Sequence, residues 1–411
     1  MRMLVVTNMF SAVRDALKED GVNFKGMPGF LKAMQYFTEQ GIEIDYIFTS
    51  FVSTDKKFMQ KETKLPFIKK EQIKDIIIKN YRVNKLTHYA FMDIALLSSV
   101  KKALKQKKYD FIYAMTPDSS CVNKLANSMG IPCGVRLYGS FLWSTLQKKG
   151  RKNIGTYLHR EIDIYNLPKS FLLTTDDGSN GEKSYEMFCE NKTLYDFYYW
   201  KNGIERCTFQ DCKKYTDLDN EVTQPALLYV ATVTPWKRHD RAIELMKILK
   251  DRGINCNLYF AGSMPPSETE KVWKKKLDDM ISEYNLQDRI SFLGSLEKEE
   301  FLYLSKSAIA CPLFQDTTNM GNVFHELLSV GAPIISLDDG SLDDFITNGE
   351  NGFLVKNMEE AADIVEKLIS DSDLSAKIRL KAQQTSEEKM ISWNERFEKE
   401  YNLIKNAVEN K

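Results

Sequence analysis

Short apolar runs recur along this chain at intervals that leave room for a helix between them. "MLVVT", "EIDYIFT", "FIYAM", "CGVRLY", "FLLTT" (171–175) and "FYYW" (197–200) follow one another through the first half. After a gap come "LLYVAT", "NLYFAG", "ISFLG", "IACPL" and "PIISL". Between them lie segments of helical periodicity, such as "GFLKAMQYFTEQG" closed by Gly41, "CVNKLANSMG", "RHDRAIELMKILKDRG" and "EKEEFLYLSKS". Unbroken apolar runs suit strands covered on both faces, and parallel strands need helical crossovers. The pattern therefore predicts an α/β fold of two doubly wound, Rossmann-like domains facing across a cleft. A long helical region is expected from the second strand to about residue 107.

The series breaks at "RCTFQDCKKYTDLDNEVTQP", which is polar and aperiodic. This divides the chain into a first domain at 1–203, a linker at 204–225, a second domain at 226–390 and a terminal segment at 391–411. Helices fill most of 358–407. Ligands of wound sheets sit beyond the carboxyl ends of the strands, and a cleft between two such domains is the expected site. Chain length permits this: 411 residues suffice for two or three domains.

Formal net charge is zero, but residues 1–203 carry 31 Lys+Arg against 21 Asp+Glu, and 204–411 carry 26 against 36. A basic half suits an anionic surface or polyanion; solvated helix faces are the plainer account. The seven cysteines show no framework spacing, and Cys207 and Cys212 have no partner set nearby. Reduced thiols of a cytoplasmic enzyme, rather than disulfides or a metal site, are expected. "MRMLVVTNMF" is too short an apolar run for a signal peptide, and "AFMDIALLSSV" (90–100) is interrupted by Asp93 and too short to span a bilayer.

Two stretches carry candidate chemistry. In "TTNMGNVFHELLSVGAPII" (317–335) a small polar cluster runs into an apolar helix. A helix start offers unpaired amides and partial positive charge. Gly321 lets an anion reach the backbone, Asn319 and Asn322 can cap or donate, and the set suits a diphosphate. Glu326 lies four residues beyond Asn322, where its carboxylate can accept from ribose hydroxyls. A capped core helix with Glu326 at its edge is the competing account. His325–Glu326 is no zinc signature, since the second histidine of such a motif would fall at Ser329. In "YVATVTPWKRHDR" (229–241) Lys237 and Arg238 open a helix at a strand's carboxyl end. Cations are unfavourable there, unless a departing diphosphate needs them; solvated surface cations are the alternative.

In the first half, "FKGMPGF" offers Gly26 and Gly29 for close backbone approach, though Pro28 equally marks a turn. "RLYGS" places Arg136, Tyr138 and Gly139 at a strand end. "TTDDGSNG" (174–181) reads as a turn before it reads as a metal loop.

The order of these pieces resembles family-4 glycosyltransferases of the GT-B fold (glycosyl transferases group 1), strongly across 226–356 and weakly across 50–110. "TPWKRHD" is similar to their phosphate-contacting Pro-x-Lys segment, and "NMGNVFHELLSVGAPIIS" to their glutamate–seven residues–glutamate motif. "NGENGFLV" is similar to the strand that follows that motif, and "NGIE" (202–205) to the end of their amino domain. "NLYFAG" and "SFLGSL" resemble nucleotide-side loops, which places Gly262 and Leu296 near the donor. "SWNERFEKEY" (392–401) resembles a last helix that crosses back to the first domain.

The resemblance implies a retaining, hexosyltransferase-type enzyme, independent of metal and cofactor. It would use a UDP- or GDP-linked sugar and a glycan, lipid-linked glycan or protein acceptor, with no nucleic acid. Lys237, Arg238 and the amides from Gly321 through Asn322 to Val323 would stabilise the diphosphate, and Glu326 would hold the ribose. Asn319 or Asp316 would meet sugar hydroxyls. Gly29, Arg136, Tyr138 and Gly139 would face the sugar or acceptor. Closure of the domains would exclude water. A cytoplasmic protein peripheral to the inner membrane surface is expected, touching anionic lipid through a lysine-rich helix in "FIKKEQIKDIIIKN" (67–80). Three positions depart from the family pattern: Thr318 stands for the first glutamate, Ala231-Thr232 for a Gly-Arg pair and Tyr138 for a histidine. These departures leave open a catalytically silent GT-B partner protein. A sugar-nucleotide epimerase is a further alternative.

Overall fold

The computed structural model describes residues 1–9, 13, 28–50, 65–77, 85–153, 156, 159–206, 225–264, 267–316 and 318–410. Gly26, Cys207, Cys212, Thr317 and most of the segment read as a linker lie outside these. The chain divides into two compact units, 1–203 with 393–411, and 204–392.

The first unit holds a seven-stranded parallel sheet. Its strands are β1 (Arg2–Asn8), β2 (Glu43–Ser50), β3 (Ile73–Ile77), β4 (Phe111–Met115), β5 (Cys133–Leu137), β6 (Phe171–Asp176) and β7 (Asp196–Lys201), in the order β3-β2-β1-β4-β5-β6-β7. The order reverses between β1 and β4, as in a doubly wound sheet. Strands β4 and β5 are buried at every residue, which explains their unbroken apolar sequence. Crossovers run through α1 (Pro28–Glu39), α2 (Lys85–Gln106), α3 (Ser120–Ser128), α4 (Leu142–Lys149), α5 (Arg160–Tyr165) and α6 (Gly181–Phe188).

Strand β3 corrects the sequence reading. "IKDII", expected inside a lysine-rich helix, pairs in parallel with β2 at the sheet edge. An edge strand keeps one side in water, so half-buried Lys74 fits there without breaking it. Residues 78–80 of that expected helix lie outside the described residues.

The second unit holds β8 (Ala226–Val230), β9 (Asn257–Ala261), β10 (Ile290–Gly294), β11 (Cys311–Leu313), β12 (Ile334–Leu337) and β13 (Phe353–Val355). They form two parallel triplets, β10-β9-β8 and β11-β12-β13. The triplets meet where Leu227 bridges Ala310 in parallel and Leu228 N donates to Ala310 O at 3.1 Å. The helices are α7 (His239–Asp251), α8 (Glu268–Glu283), α9 (Lys298–Ser307), α10 (Asn322–Ser329), α11 (Met358–Ser370) and α12 (Ser372–Lys389). Among the described residues no helix is long and apolar enough to cross a membrane.

The last helix, α13 (Trp393–Glu409), belongs to the first unit. Trp393, Phe397 and Ile404 join a core with Met3, Phe30 and Phe37. Within that apolar contact sits Glu400, 2% exposed, which accepts from Tyr113 Oη at 2.6 Å and Arg396 Nη1 at 2.9 Å. The Arg136 guanidinium lies 3.9 Å from the same carboxylate.

Candidate functional site

In the second unit the loops beyond β8, β9, β10 and β11 carry the candidate chemistry. The β8 loop is fastened to its neighbour: Ala231 N donates to Ala261 O (3.0 Å) and Val233 N to Ser263 O (2.9 Å). Gly262 makes this possible, because a Cβ there would stand 1.9 Å from Ala231 O. Its role is this close approach of two backbones, which sequence reading had assigned to the donor.

Beyond Val233 the chain makes a 3-10 turn, Pro235–Lys237, and Arg238 is left-handed (φ 53°, ψ 47°). Helix α7 begins only at His239, so the two cations precede the helix rather than open it. Tyr229 holds the turn from below, its hydroxyl donating to Lys237 O at 2.5 Å. The His239 ring packs between Tyr229 and Phe260, each 5.0 Å away, and burial pushes its pKa down to about 4. It is an uncharged spacer at neutral pH.

The two cations differ in their partners. Arg238 donates to Asp240 through Nε (2.9 Å) and Nη2 (3.1 Å), and to Asp316 through Nη1 (2.9 Å). Arg241 reaches the same Asp316 oxygen at 2.9 Å, and Lys276 reaches Asp240 at 3.2 Å. Burial opposes ionisation of Asp240, yet bonds from Arg238 and Lys276 hold its carboxyl below the usual range. The charge that sequence reading offered to a phosphate is thus already met by two carboxylates, and Asp316, offered to sugar hydroxyls, is engaged by two arginines. Lys237 instead donates Nζ to the neutral Gln315 Oε1 and lies 3.9 Å over the Trp236 ring. Burial lowers its pKa to about 8. Among the described residues it has no carboxylate within salt-bridge distance.

Gln315 belongs to the loop between β11 and α10, and that loop is braced. Gln315 N donates to Asn319 Oδ1 (3.0 Å), and Asn319 Nδ2 donates to Asp339 Oδ2 (3.0 Å) and Leu337 O (3.4 Å). Asp316 N donates to Trp236 O at 3.2 Å, tying the loop to the lysine turn. Asn319 is fully buried. It therefore braces the loop and does not cap α10, a correction to the expectation. The cap is Gly321, in extended conformation, which has no side chain of its own to accept from the first amides of α10. A Cβ at Gly321 would meet nothing within 4 Å, so its surroundings are open. Asn322 and Val323 follow as the first two helical residues, both half-buried.

Glu326 is the fifth residue of α10 and answers its own burial cost with Lys298, whose Nζ stands 3.2 Å away. Lys298 is the first residue of α9, directly after the β10 loop that holds Leu296. Leu296 packs against the core that contains Phe324 and Leu327. The loops after β10 and β11 are thereby joined beneath the helix tip. Lys298 and Gln315 carry no motif of their own; only the fold brings them to the site.

The first-unit candidates fare differently. Arg136 is 2% exposed and committed to Glu400, with Tyr138 stacked beneath it at 4.8 Å. Its guanidinium braces the sheet end, where the sequence pattern had it face the sugar or acceptor. Tyr138 donates to Met115 Sδ at 3.5 Å. Gly139 (φ 103°) carries the Asp177 carboxylate where a Cβ would be, 2.3 Å from Oδ2. Asp177 accepts from Ser179 N at 3.1 Å, so "TTDDGSNG" is the turn the sequence suggested. Burial raises the Asp177 pKa above the usual carboxylate value. Gly29, near the start of α1, rests on the Trp393 ring. Among the described residues no group of three or more His, Cys, Asp or Glu could hold a metal ion.

Residues 215–385, which contain the whole lysine turn and α10, match the family described as Glycosyl transferases group 1. The chain is similar to the capsular polysaccharide biosynthesis glycosyltransferase CapM of Staphylococcus aureus, 24% identical over 80% of this chain and 88% of that one. It is also similar to an alpha-D-kanosaminyltransferase of Streptomyces kanamyceticus, 24% identical over 42% of this chain and 46% of that one. A solved structure of sucrose-phosphate synthase from Thermosynechococcus elongatus shares the fold with a TM-score of 0.76, at 13% identity and full coverage of both chains. Anabaena HepE, solved with UDP and glucose, shares it with a TM-score of 0.67, at 16% identity and 98% coverage of each. Each unit has the wound α/β fold of the GT-B enzymes, and residues 215–385 form a glycosyl transferases group 1 module, the mark of a glycosyltransferase.

Proposed function

We propose that the protein moves a sugar, with retention at the anomeric carbon, from a nucleotide-diphosphate sugar to a hydroxyl of a glycan, a lipid-linked glycan or a protein. Cell-surface polysaccharide or glycoconjugate synthesis is the setting, in keeping with the capsular relative. The donor is UDP- or GDP-linked; HepE, which shares the fold, was solved with UDP-glucose. One observation carries the reading. Lys237 is a half-buried cation with no carboxylate within salt-bridge distance among the described residues, held at the loop that leads to a helix start capped by a glycine. An ammonium kept in low dielectric and bonded only to an amide is primed for an anion.

In the reaction the bond from the anomeric carbon to the phosphate oxygen breaks. A bond from the acceptor oxygen forms on the same face, and the leaving phosphate oxygen takes the acceptor's proton. Lys237 and the first amides of α10 stabilise the charge that develops on the diphosphate. Glu326 accepts from the ribose hydroxyls, set in place by Lys298. No side-chain base and no metal is required. The work is on the cytoplasmic side, which an acceptor on a lipid carrier would require.

The test is donor turnover by the purified chain, in transfer or in slow hydrolysis to the nucleoside diphosphate. Lys237→Ala is expected to lower kcat/KM by roughly 100- to 1000-fold, the usual cost of removing one charge-stabilising donor. An unchanged kcat/KM would remove the centre of the reading. The neutralised Arg238 and the threonine at 318 favour a second reading, a silent member that stabilises an active transferase. Thermal stabilisation by UDP- or GDP-sugars without any turnover would select it.

A further inference from the structure

Helix α2 has one outward arc that combines large apolar side chains with lysines. Met92, Leu96 and Val100 are buried against the sheet. On the opposite side Phe91 is 57% and Ile94 66% exposed. Lys101, Lys102 and Lys105 are exposed as well. At about 100° per residue these five fall within one arc of roughly 120°. The arc contains no carboxylate. The helix has a single acid, Asp93, which lies off the arc and is taken up by Arg160 at 2.8 and 3.1 Å. Lys74 on the edge strand β3 adds positive charge near Lys102.

We propose that this arc lies flat on an anionic phospholipid surface, Phe91 and Ile94 entering the headgroup–acyl boundary and Lys101, Lys102 and Lys105 meeting the phosphates. Charge complementarity selects this occupant. Lysines alone would suit any polyanion, and two exposed apolar side chains alone would suit any protein groove. A phospholipid surface offers both over the roughly 21 Å from Phe91 to Lys105. The excess of 31 cationic over 21 acidic residues in 1–203 adds a long-range pull in the same direction. The contact replaces the expected one through residues 67–80, whose described part forms a short 3-10 turn and the edge strand. It requires no turnover, so its test stands apart from that of the transferase.

The full chain is sedimented with vesicles of phosphatidylcholine alone and of phosphatidylcholine with phosphatidylglycerol. Binding is expected to the mixed vesicles only, and to weaken as salt rises. K101E/K102E/K105E, at exposed positions that should leave thermal unfolding unchanged, is expected to lower partitioning by about 100-fold, since each lysine contributes about fivefold. F91S/I94S is expected to lower it by about tenfold at constant salt dependence. A chain that stays in solution with mixed vesicles overturns the proposal. So does a triple variant that binds vesicles as well as the unaltered chain but no longer binds heparin, which would point to a polyanion. A concentration-dependent dimer that F91S/I94S abolishes would assign the arc to a second copy of the chain instead.

Discussion

Lys237 donates its ammonium to the side-chain oxygen of Gln315, an uncharged partner on a different loop. Beside it Arg238 is neutralised by Asp240 and Asp316. A charge held by a dipole remains available, and a charge held by two carboxylates does not. This divides two neighbouring cations into one that can act on a substrate and one that builds the turn.

The first consequence is a proton. Burial places the Lys237 pKa at about 8, and a bound diphosphate raises it. Below about 8 the lysine is already charged and binding takes up nothing. Above it, binding takes up one proton and donor affinity falls by up to tenfold per pH unit. Calorimetry of UDP or GDP binding in two buffers of different ionisation enthalpy reads this directly. Lys237→Arg should abolish the uptake, and uptake of equal size in that variant would place the proton elsewhere.

The same burial predicts that activity and stability move oppositely. The folded pKa of Lys237 lies below its unfolded value of 10.5, so the folded state resists the charged form. The cost is fully present below about pH 8 and fades as pH rises towards 10.5. Lys237→Met should therefore stabilise the ligand-free protein at neutral pH, by about 3 kcal/mol at most, and the gain should vanish in alkali. Thermal unfolding from pH 6 to 10 checks the sign; a destabilised variant at pH 7 contradicts it.

Glu326 and Lys298 test the ribose assignment. Glu326→Gln removes charged hydrogen bonds worth about 1.5–3 kcal/mol, so donor KM should rise roughly tenfold to a hundredfold with kcat little changed. Lys298→Ala removes partly exposed pairs with Glu326 and Glu205; the one with Glu326 is worth about 1 kcal/mol or less, so KM should rise by fivefold or less. A fall in kcat with constant KM in Glu326→Gln would move that carboxylate to the reacting centre.

In the first unit the Glu400 carboxylate stands against two buried guanidiniums, Arg136 and Arg396. Glu400→Ala should cost about 3–5 kcal/mol, because it strands buried charge. Tyr113→Phe, which removes one bond to the other oxygen of the same carboxylate, should cost about 1 kcal/mol. Urea unfolding with hydrogen exchange on α13 measures both; equal losses would mean that packing, and not charge, holds the helix.

The wound architecture was legible because strands such as β4 and β5, covered on both faces, advertise themselves as apolar runs. Strand β3 was not, since an edge strand tolerates the lysine and aspartate that disguised it. Lys237 and Glu326 were legible from local pattern. Their partners Gln315 and Lys298 were not, because each arrives on another loop. Arg136 misled for the same reason: a strand-end arginine reads as a ligand contact until its carboxylate is found at the far end of the chain. Asn319, polar and beside a glycine, read as a cap until the fold surrounded it.

That distant carboxylate has a bearing on how the protein is made. By the time β7 ends at Lys201, every strand of the first sheet has been synthesised, yet Arg136 still lacks Glu400 and the core still lacks Trp393 and Phe397. Nearly two hundred residues must follow before the ribosome releases them. The amino-terminal unit therefore waits, unsealed and with a lone cation in its interior, until α13 has emerged. A nascent polypeptide halted before α13 should be far more open to proteases and chaperones than its finished sheet suggests.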